Sequence, residues 1–190
     1  MKNYIDTINK LLGENRTTND QNSDAMLHYS KMSVKRLERW LEKGELLPET
    51  IETIKSITSP QHWIVLTEGW CGDAAHSIGF LWMMSELNEN IQFEWKLRDE
   101  NLELMDQYLT NGGRSIPKLI VRDQNQNDLF NWGPRPAHIQ ELRTELMAQN
   151  LPYEQVNVEM QKAYNKDKGK TIQKEIIALL EKTDISLLAQ

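Results

Sequence analysis

The sequence has 190 residues, of which 39% are hydrophobic and 26% are charged, and its formal net charge is −6. This composition is typical of one folded, medium-sized domain with extensions, and it argues against a disordered chain. The 28 acidic and 22 basic residues include no block of Lys and Arg, so we expect no nucleic-acid partner.

The chain has a single cysteine, Cys71, which excludes an internal disulfide and a cysteine-based zinc cluster. The four histidines are scattered, so we expect no metal site. The first residues lack the apolar segment of a signal peptide, and no uncharged apolar run reaches about 18 residues. We therefore expect a cytoplasmic protein with no membrane partner.

The N-terminal third is predicted to be a helical extension covering residues 1–59. Apolar residues at helical spacing up to Leu12 predict a first helix, and the polar residues 13–23 predict a loop. One or two helices should follow up to Gly44, and a further helix should begin at Pro48.

The central segment, residues 60–149, is predicted to begin with a βαβ unit. A nearly continuous run of β-branched and aromatic residues at 62–67 predicts a buried strand. A helix over 74–87 and a second strand at Ile91–Leu97 should complete the unit. Another helix is predicted over 98–109, ended by a pair of glycines.

The rest of the central segment predicts a hairpin and a closing helix. Residues 118–122 and 128–132 have the pattern of two antiparallel strands joined by a polar turn, and Pro136 should begin the helix. Beyond Pro152, apolar spacing predicts two helices or one interrupted helix. We expect residues 150–190 to form a C-terminal extension packed on the same domain.

The strand–turn–helix around Cys71 is the first candidate for chemistry. It places the Cys71 sulfur at a helix N-terminus, where free N–H groups and the helix dipole favour an anion. This placement predicts a thiol pKa below the free value of about 8.5, and hence a reactive thiolate. The negative charge of Asp73 should instead raise the thiol pKa.

Ile116-Pro117 is the second candidate element. A proline that follows a Gly-Gly loop and precedes a strand predicts a cis peptide bond that keeps a backbone edge open. Such an edge can pair with an extended peptide or with the backbone of a small thiol. Arg114 beside it is a candidate for binding a carboxylate.

These features together resemble the thioredoxin family, over about residues 60–149. The resemblance rests on Trp70-Cys71-Gly72-Asp73-Ala74, the strand before it, Ile116-Pro117, and the terminal hairpin and helix. It implies an α/β, thioredoxin-like fold, with a mixed central sheet of βαβ and ββα halves and helical N- and C-terminal extensions. Dithiol members of the family have a cysteine where this chain has Ala74, so an external thiol would have to resolve a mixed disulfide at Cys71.

Two functions stay open at this point. The first is a monothiol thiol-disulfide oxidoreductase, an enzyme with Cys71 as the catalytic nucleophile. Its substrate-binding residues would be Trp70, Gly72, Asp73, Ala74, Arg114, Ile116 and Pro117. It would need no cofactor beyond a low-molecular-weight thiol, such as glutathione, as co-substrate, and its partner would be a thiol or disulfide protein or a small thiol.

The second function is a redox-inactive binding or scaffold module that uses the groove at Pro117, with Cys71 as a buried small residue. The flanking helices cap the sheet, form a homodimer surface or narrow the approach to Cys71. The physiological substrate and the resolving thiol are not specified by the sequence.

Overall fold

The computed structural model describes residues 1–188, with side chains described up to residue 183. Its helices and strands follow one another in the order α1 (Lys2–Gly13), α2 (Asp24–Lys43), α3 (Pro48–Lys55), β1 (Gln61–Thr67), α4 (Gly72–Ser85), β2 (Ile91–Leu97), α5 (Leu102–Met105), β3 (Lys118–Asp123), β4 (Asp128–Trp132), α6 (Ala137–Ala148), α7 (Tyr153–Asp167) and α8 (Lys170–Leu188).

The four strands form one sheet in the order β2-β1-β3-β4. Strand β1 runs parallel to β2, and α4 connects the two strands. Strand β3 is antiparallel to both β1 and β4, and a short turn connects it to β4. The sheet therefore has the predicted mixed architecture with a βαβ and a ββα half.

Strand β1 lies inside the sheet because its residues are apolar on both faces. Its central residues, from Trp63 to Leu66, are at most 3% exposed. Helix α4 packs on one face of the sheet through Ile78, Leu81 and Met84. Helix α2 lies over α4 at Gly79, where a Cβ atom would be only 3.1 Å from Leu37 Cδ1. This glycine thus allows the close approach of the two helices.

The prediction of a single helix over 98–109 is wrong. The structure has instead a 3₁₀ turn at Arg98–Glu100 followed by the short helix α5. Asn101 separates the two, because its φ of −132° is not helical and its side-chain amide donates to the Leu97 carbonyl. After α5 the chain turns, and Thr110 forms a short bridge with Gly113.

The two C-terminal helices are separated by a sharp turn, as one of the two sequence-based alternatives predicted. Lys168 and Gly169 both have positive φ angles, of 55° and 72°. A Cβ atom on Gly169 would lie 2.2 Å from Phe80 Cζ, so the turn packs directly on α4. From this turn, α8 enters the apolar core through Ile172 and Ile176. No helix in the described part of the chain is long and apolar enough to cross a membrane.

Candidate functional site

Cys71 is the N-cap residue of α4, and its sulfur lies next to the segment before β3. The Cys71 Sγ atom accepts a hydrogen bond from the Ala74 N–H at 3.4 Å. The thiol donates to the Ile116 carbonyl oxygen at 3.5 Å. The Ile116–Pro117 peptide bond is cis. The structure thus brings together the two segments that the sequence marked as candidates.

The Cys71 thiol is buried, with 7% of the residue exposed. Burial and, to a smaller extent, the negative charge of Asp73 raise its pKa to about 12. The N–H groups of Ala74 and Asp73 act in the opposite direction but have a smaller effect. The predicted lowering of the Cys71 pKa is therefore wrong, because the loss of hydration outweighs the helix N-terminus.

Asp73 lies in the first turn of α4 and joins three parts of the chain. Its carboxylate forms an ion pair with Arg135 at 2.7 Å and accepts a hydrogen bond from the Tyr164 hydroxyl at 2.8 Å. Burial raises the pKa of Asp73, whereas Arg135 and Tyr164 lower it. Helix α7 is therefore attached to the start of α4 through a buried carboxylate.

His76, one turn further along α4, forms a second link to α7. The Trp40 indole N–H donates to His76 Nδ1 at 2.9 Å, so the ring proton is on Nε2, which donates to the Gln161 side-chain oxygen at 2.6 Å. The imidazole also stacks on the Tyr164 ring, with 4.4 Å between the centroids. Burial lowers the His76 pKa to about 4, so the ring is neutral at physiological pH.

Residues near the N-terminus fix the turn that precedes Cys71. The Thr18 hydroxyl donates to the carboxylate of the fully buried Glu68 and accepts the Gly69 N–H at 3.1 Å. The second Glu68 oxygen accepts the Asp99 N–H at 3.0 Å. A Cβ atom on Gly69 would lie 2.8 Å from Ile8 Cγ1, so α1 packs against this turn.

A cavity of about 440 Å³ opens beside the cysteine. Six of the predicted site residues line it: Trp70, Cys71, Gly72, Asp73, Arg114 and Ile116. The other two, Ala74 and Pro117, are buried and do not line it. Arg114, the expected carboxylate ligand, already pairs with Asp106 of the same chain, at 2.7 Å.

The comparisons with known proteins identify the family. A family model described as thioredoxin matches residues 19–149, more than half of the chain. The chain belongs to the thioredoxin family. The match includes α2 and α3 as well as the sheet. No curated protein matches the sequence.

Two solved structures show the same thioredoxin-like fold with helical extensions. One is a protein of unknown function from Pseudomonas aeruginosa, with a TM-score of 0.60, 20% identity, and coverage of 80% of this chain and 84% of that chain. The other is an HIV epitope scaffold, with a TM-score of 0.60, 18% identity, and coverage of 91% and 96%. At these identities the similarity concerns the fold alone.

The cavity wall carries several positive charges. Four further arginines line the cavity, and sequence reasoning missed all of them: Arg36, Arg98, Arg135 and Arg143. They come from α2, the 3₁₀ turn after β2, the loop before α6, and α6 itself. No local pattern marks them, because they lie far apart in the sequence and only the tertiary fold brings them together.

Proposed function

We propose that this thioredoxin-family protein exchanges thiols and disulfides through a single cysteine. The observation that carries the proposal is the position of the Cys71 sulfur, on the cavity wall between the start of α4 and the Ile116 carbonyl. Ala74, where dithiol relatives have their second cysteine, is 1% exposed and has no nucleophile.

The exchange has two steps. The Cys71 sulfur attacks one sulfur of a bound disulfide, the old S–S bond breaks, and a mixed disulfide forms at Cys71. The leaving thiolate takes up the proton that Cys71 loses, so atoms and electrons balance. An external thiol then attacks the substrate sulfur of the mixed disulfide and forms a new disulfide with it, and its proton passes to the released Cys71 sulfur, since Ala74 cannot carry out this step.

The reaction needs a co-substrate and a reducing compartment. The co-substrate is a low-molecular-weight thiol, glutathione or an equivalent, and no resident cofactor takes part. The reducing cytoplasm, where free thiols persist, is the compartment that suits a monothiol protein. Trp70, Gly72 and Ile116 are the proposed substrate-binding residues. They lie on the cavity wall, next in sequence to Cys71 or to the cis-proline Pro117.

A second candidate function is a binding module that holds its ligand in the same cavity without covalent chemistry. One observation favours it: burial and Asp73 raise the Cys71 pKa to about 12, which keeps the thiol protonated at neutral pH. A thiol hardly attacks a disulfide, whereas a thiolate does. Exchange by the free protein is therefore slow at neutral pH and accelerates with rising pH.

Intact-mass analysis after incubation with glutathione disulfide at pH 7 and at pH 9 tests the proposal. We expect a single glutathione adduct that forms faster at pH 9 and is released by added dithiothreitol. Cys71→Ser should form no adduct while keeping the circular dichroism spectrum of the original protein. If the original protein forms no adduct at either pH, the exchange function is wrong and the binding module replaces it.

A further inference from the structure

The cavity beside Cys71 is basic, although the chain as a whole has a net charge of −6. Five arginines line it, against one acidic residue, Asp73. Three of these arginines are paired with carboxylates of the chain: Arg98 with Asp99, Arg114 with Asp106, and Arg135 with Asp73. Pairing within the protein thus accounts for only part of the positive charge.

Arg36 and Arg143 supply the rest. Neither forms an ion pair or a hydrogen bond with any residue whose side chain the structure describes, and the only acidic residue on the cavity wall, Asp73, whose pKa the Arg143 charge lowers, is already paired with Arg135. Both are half-buried, and burial lowers the pKa of Arg36. Partial burial of an unpaired cation is unfavourable unless a counter-charge is bound nearby. The two residues lie on α2 and α6, so they approach the cavity from different elements.

Two hydrogen-bond donors of the cavity residues are also without a partner. The Trp70 indole N–H and the Arg135 Nε–H are buried, and neither has a hydrogen-bond acceptor in the described part of the protein. Buried donors are normally paired in folded proteins. Both oxygens of Asp73 are already engaged, by Arg135 and by Tyr164. The cavity wall therefore has more positive than negative charge, and two of its buried donors have no acceptor among the described residues.

We infer that the cavity binds a small molecule with two or more anionic groups, and that Arg36 and Arg143 are its anion-binding residues. Guanidinium groups match carboxylates and phosphates in geometry as well as in charge. A volume of about 440 Å³ lies within the range of about 300 to 1,000 Å³ that is usual for small-molecule sites. The excess of positive charge supports an anionic ligand whatever the reaction is; that this ligand is the thiol co-substrate rests on the proposed function.

Isothermal titration calorimetry of anions binding to the Cys71→Ser variant, which cannot react covalently, tests the inference. The probes are glutathione disulfide, which carries several carboxylates, and inorganic pyrophosphate, which carries phosphates only. We expect at least one of them to bind, with affinity lowered about tenfold or more when Arg36→Gln or Arg143→Gln is added. The probe that binds tells whether carboxylates or phosphates are preferred.

Lys35→Gln is the matched control, because Lys35 is an exposed cation next to Arg36 on α2 and does not line the cavity. It should leave binding unchanged. Cystamine, a disulfide with only positive charges, should not bind. The inference is wrong if neither anion binds, if the arginine variants bind as well as their parent, or if Lys35→Gln weakens binding equally.

Failure of the proposed function gives a different result. In that case the protein with Cys71 forms no glutathione adduct. Cys71→Ser still binds the anion, and adding Arg36→Gln or Arg143→Gln still weakens this binding.

Discussion

The two ends of helix α4 lie in opposite surroundings. Its later turns carry Ile78, Phe80 and Met84, each 0% exposed in the apolar core. Its N-cap Cys71 and its first turns, with Asp73 and His76, form polar contacts with arginine, tyrosine, tryptophan, glutamine and backbone groups. One helix therefore joins the packed interior to the charged cavity.

The apolar end of α4 stabilises the helix, and the polar end holds the groups of the site. Burial of the apolar end, at about 25 cal/mol per Å² of apolar surface removed from water, stabilises the position of the whole helix. The polar end contains groups whose burial is unfavourable, namely a thiol, a carboxylate and an imidazole. A helix fixed by its core end can hold these groups in one geometry, as a preorganised site requires.

The largest expected effect comes from the apolar end. Gly169→Ala should lower the free energy of unfolding by roughly 3 kcal/mol or more, since the new Cβ atom would clash with the buried Phe80 ring and the residue has a positive φ. Gly112→Ala is the control, because Gly112 also has a positive φ but has no atom within 4 Å of its Cβ position. It should cost about 1 kcal/mol.

Urea unfolding at pH 7 measures both glycine variants. Equal losses in the two variants would mean that the turn before α8 does not pack on α4 as described.

His76 should give an intermediate effect that depends on pH. Its pKa is about 4 in the folded protein and near 6.5 when unfolded, so its contribution to stability is complete above pH 6.5 and is lost as the pH falls towards 4. Between pH 7.5 and 4.5 this contribution is roughly 2 kcal/mol. His76→Gln should remove that part of the acid sensitivity, whatever its own cost in stability.

Urea unfolding at pH 7.5 and at pH 4.5 measures the difference. His28→Gln, at an exposed position on α2, should keep the acid sensitivity of the original protein. If His76→Gln remains equally acid-sensitive, the imidazole is not the buried neutral group described above.

The smallest expected effect concerns the thiol itself. Asp73→Asn should speed alkylation of Cys71 by iodoacetamide at pH 8 by about tenfold, or about 1.4 kcal/mol, because the Asp73 charge contributes to the raised thiol pKa. Burial, the larger cause, remains, so the pKa should stay above that of a free thiol.

Asp6→Asn removes the same charge from an exposed residue of α1 that does not line the cavity, and Cys71 in this variant should be alkylated at the original rate. The rate is read from intact-mass spectra over time. An unchanged or slower rate in Asp73→Asn would show that the carboxylate does not oppose the thiolate.

The sequence predicted most of the fold because local patterns carry it. Strand β2 was placed at its observed bounds, and the α7–α8 break was anticipated. The helix over 98–109 failed because apolar spacing does not reveal the backbone of a single residue, Asn101, which interrupts it.

The site was only partly predictable. Cys71 and Ile116 are predictable because a strand–turn–helix and a proline before a strand mark them and a known family shares the motif, but the direction of the Cys71 pKa depends on burial, which no sequence pattern measures. Arg36, Arg143 and Tyr164 were missed for a related reason. Their roles come from contacts between distant segments, and nothing in their neighbouring residues indicates those contacts.

The turn before Cys71 depends on the loop between α1 and α2, through the contacts of Thr18 with Glu68 and Gly69. That loop has the most polar sequence near the N-terminus, and it would be an obvious target for proteolysis. A cut there would free the Glu68 carboxylate from its hydroxyl partner and loosen the backbone that sets the cysteine. The polar loop between α1 and α2 must therefore stay uncleaved if the Cys71 thiol is to keep its position.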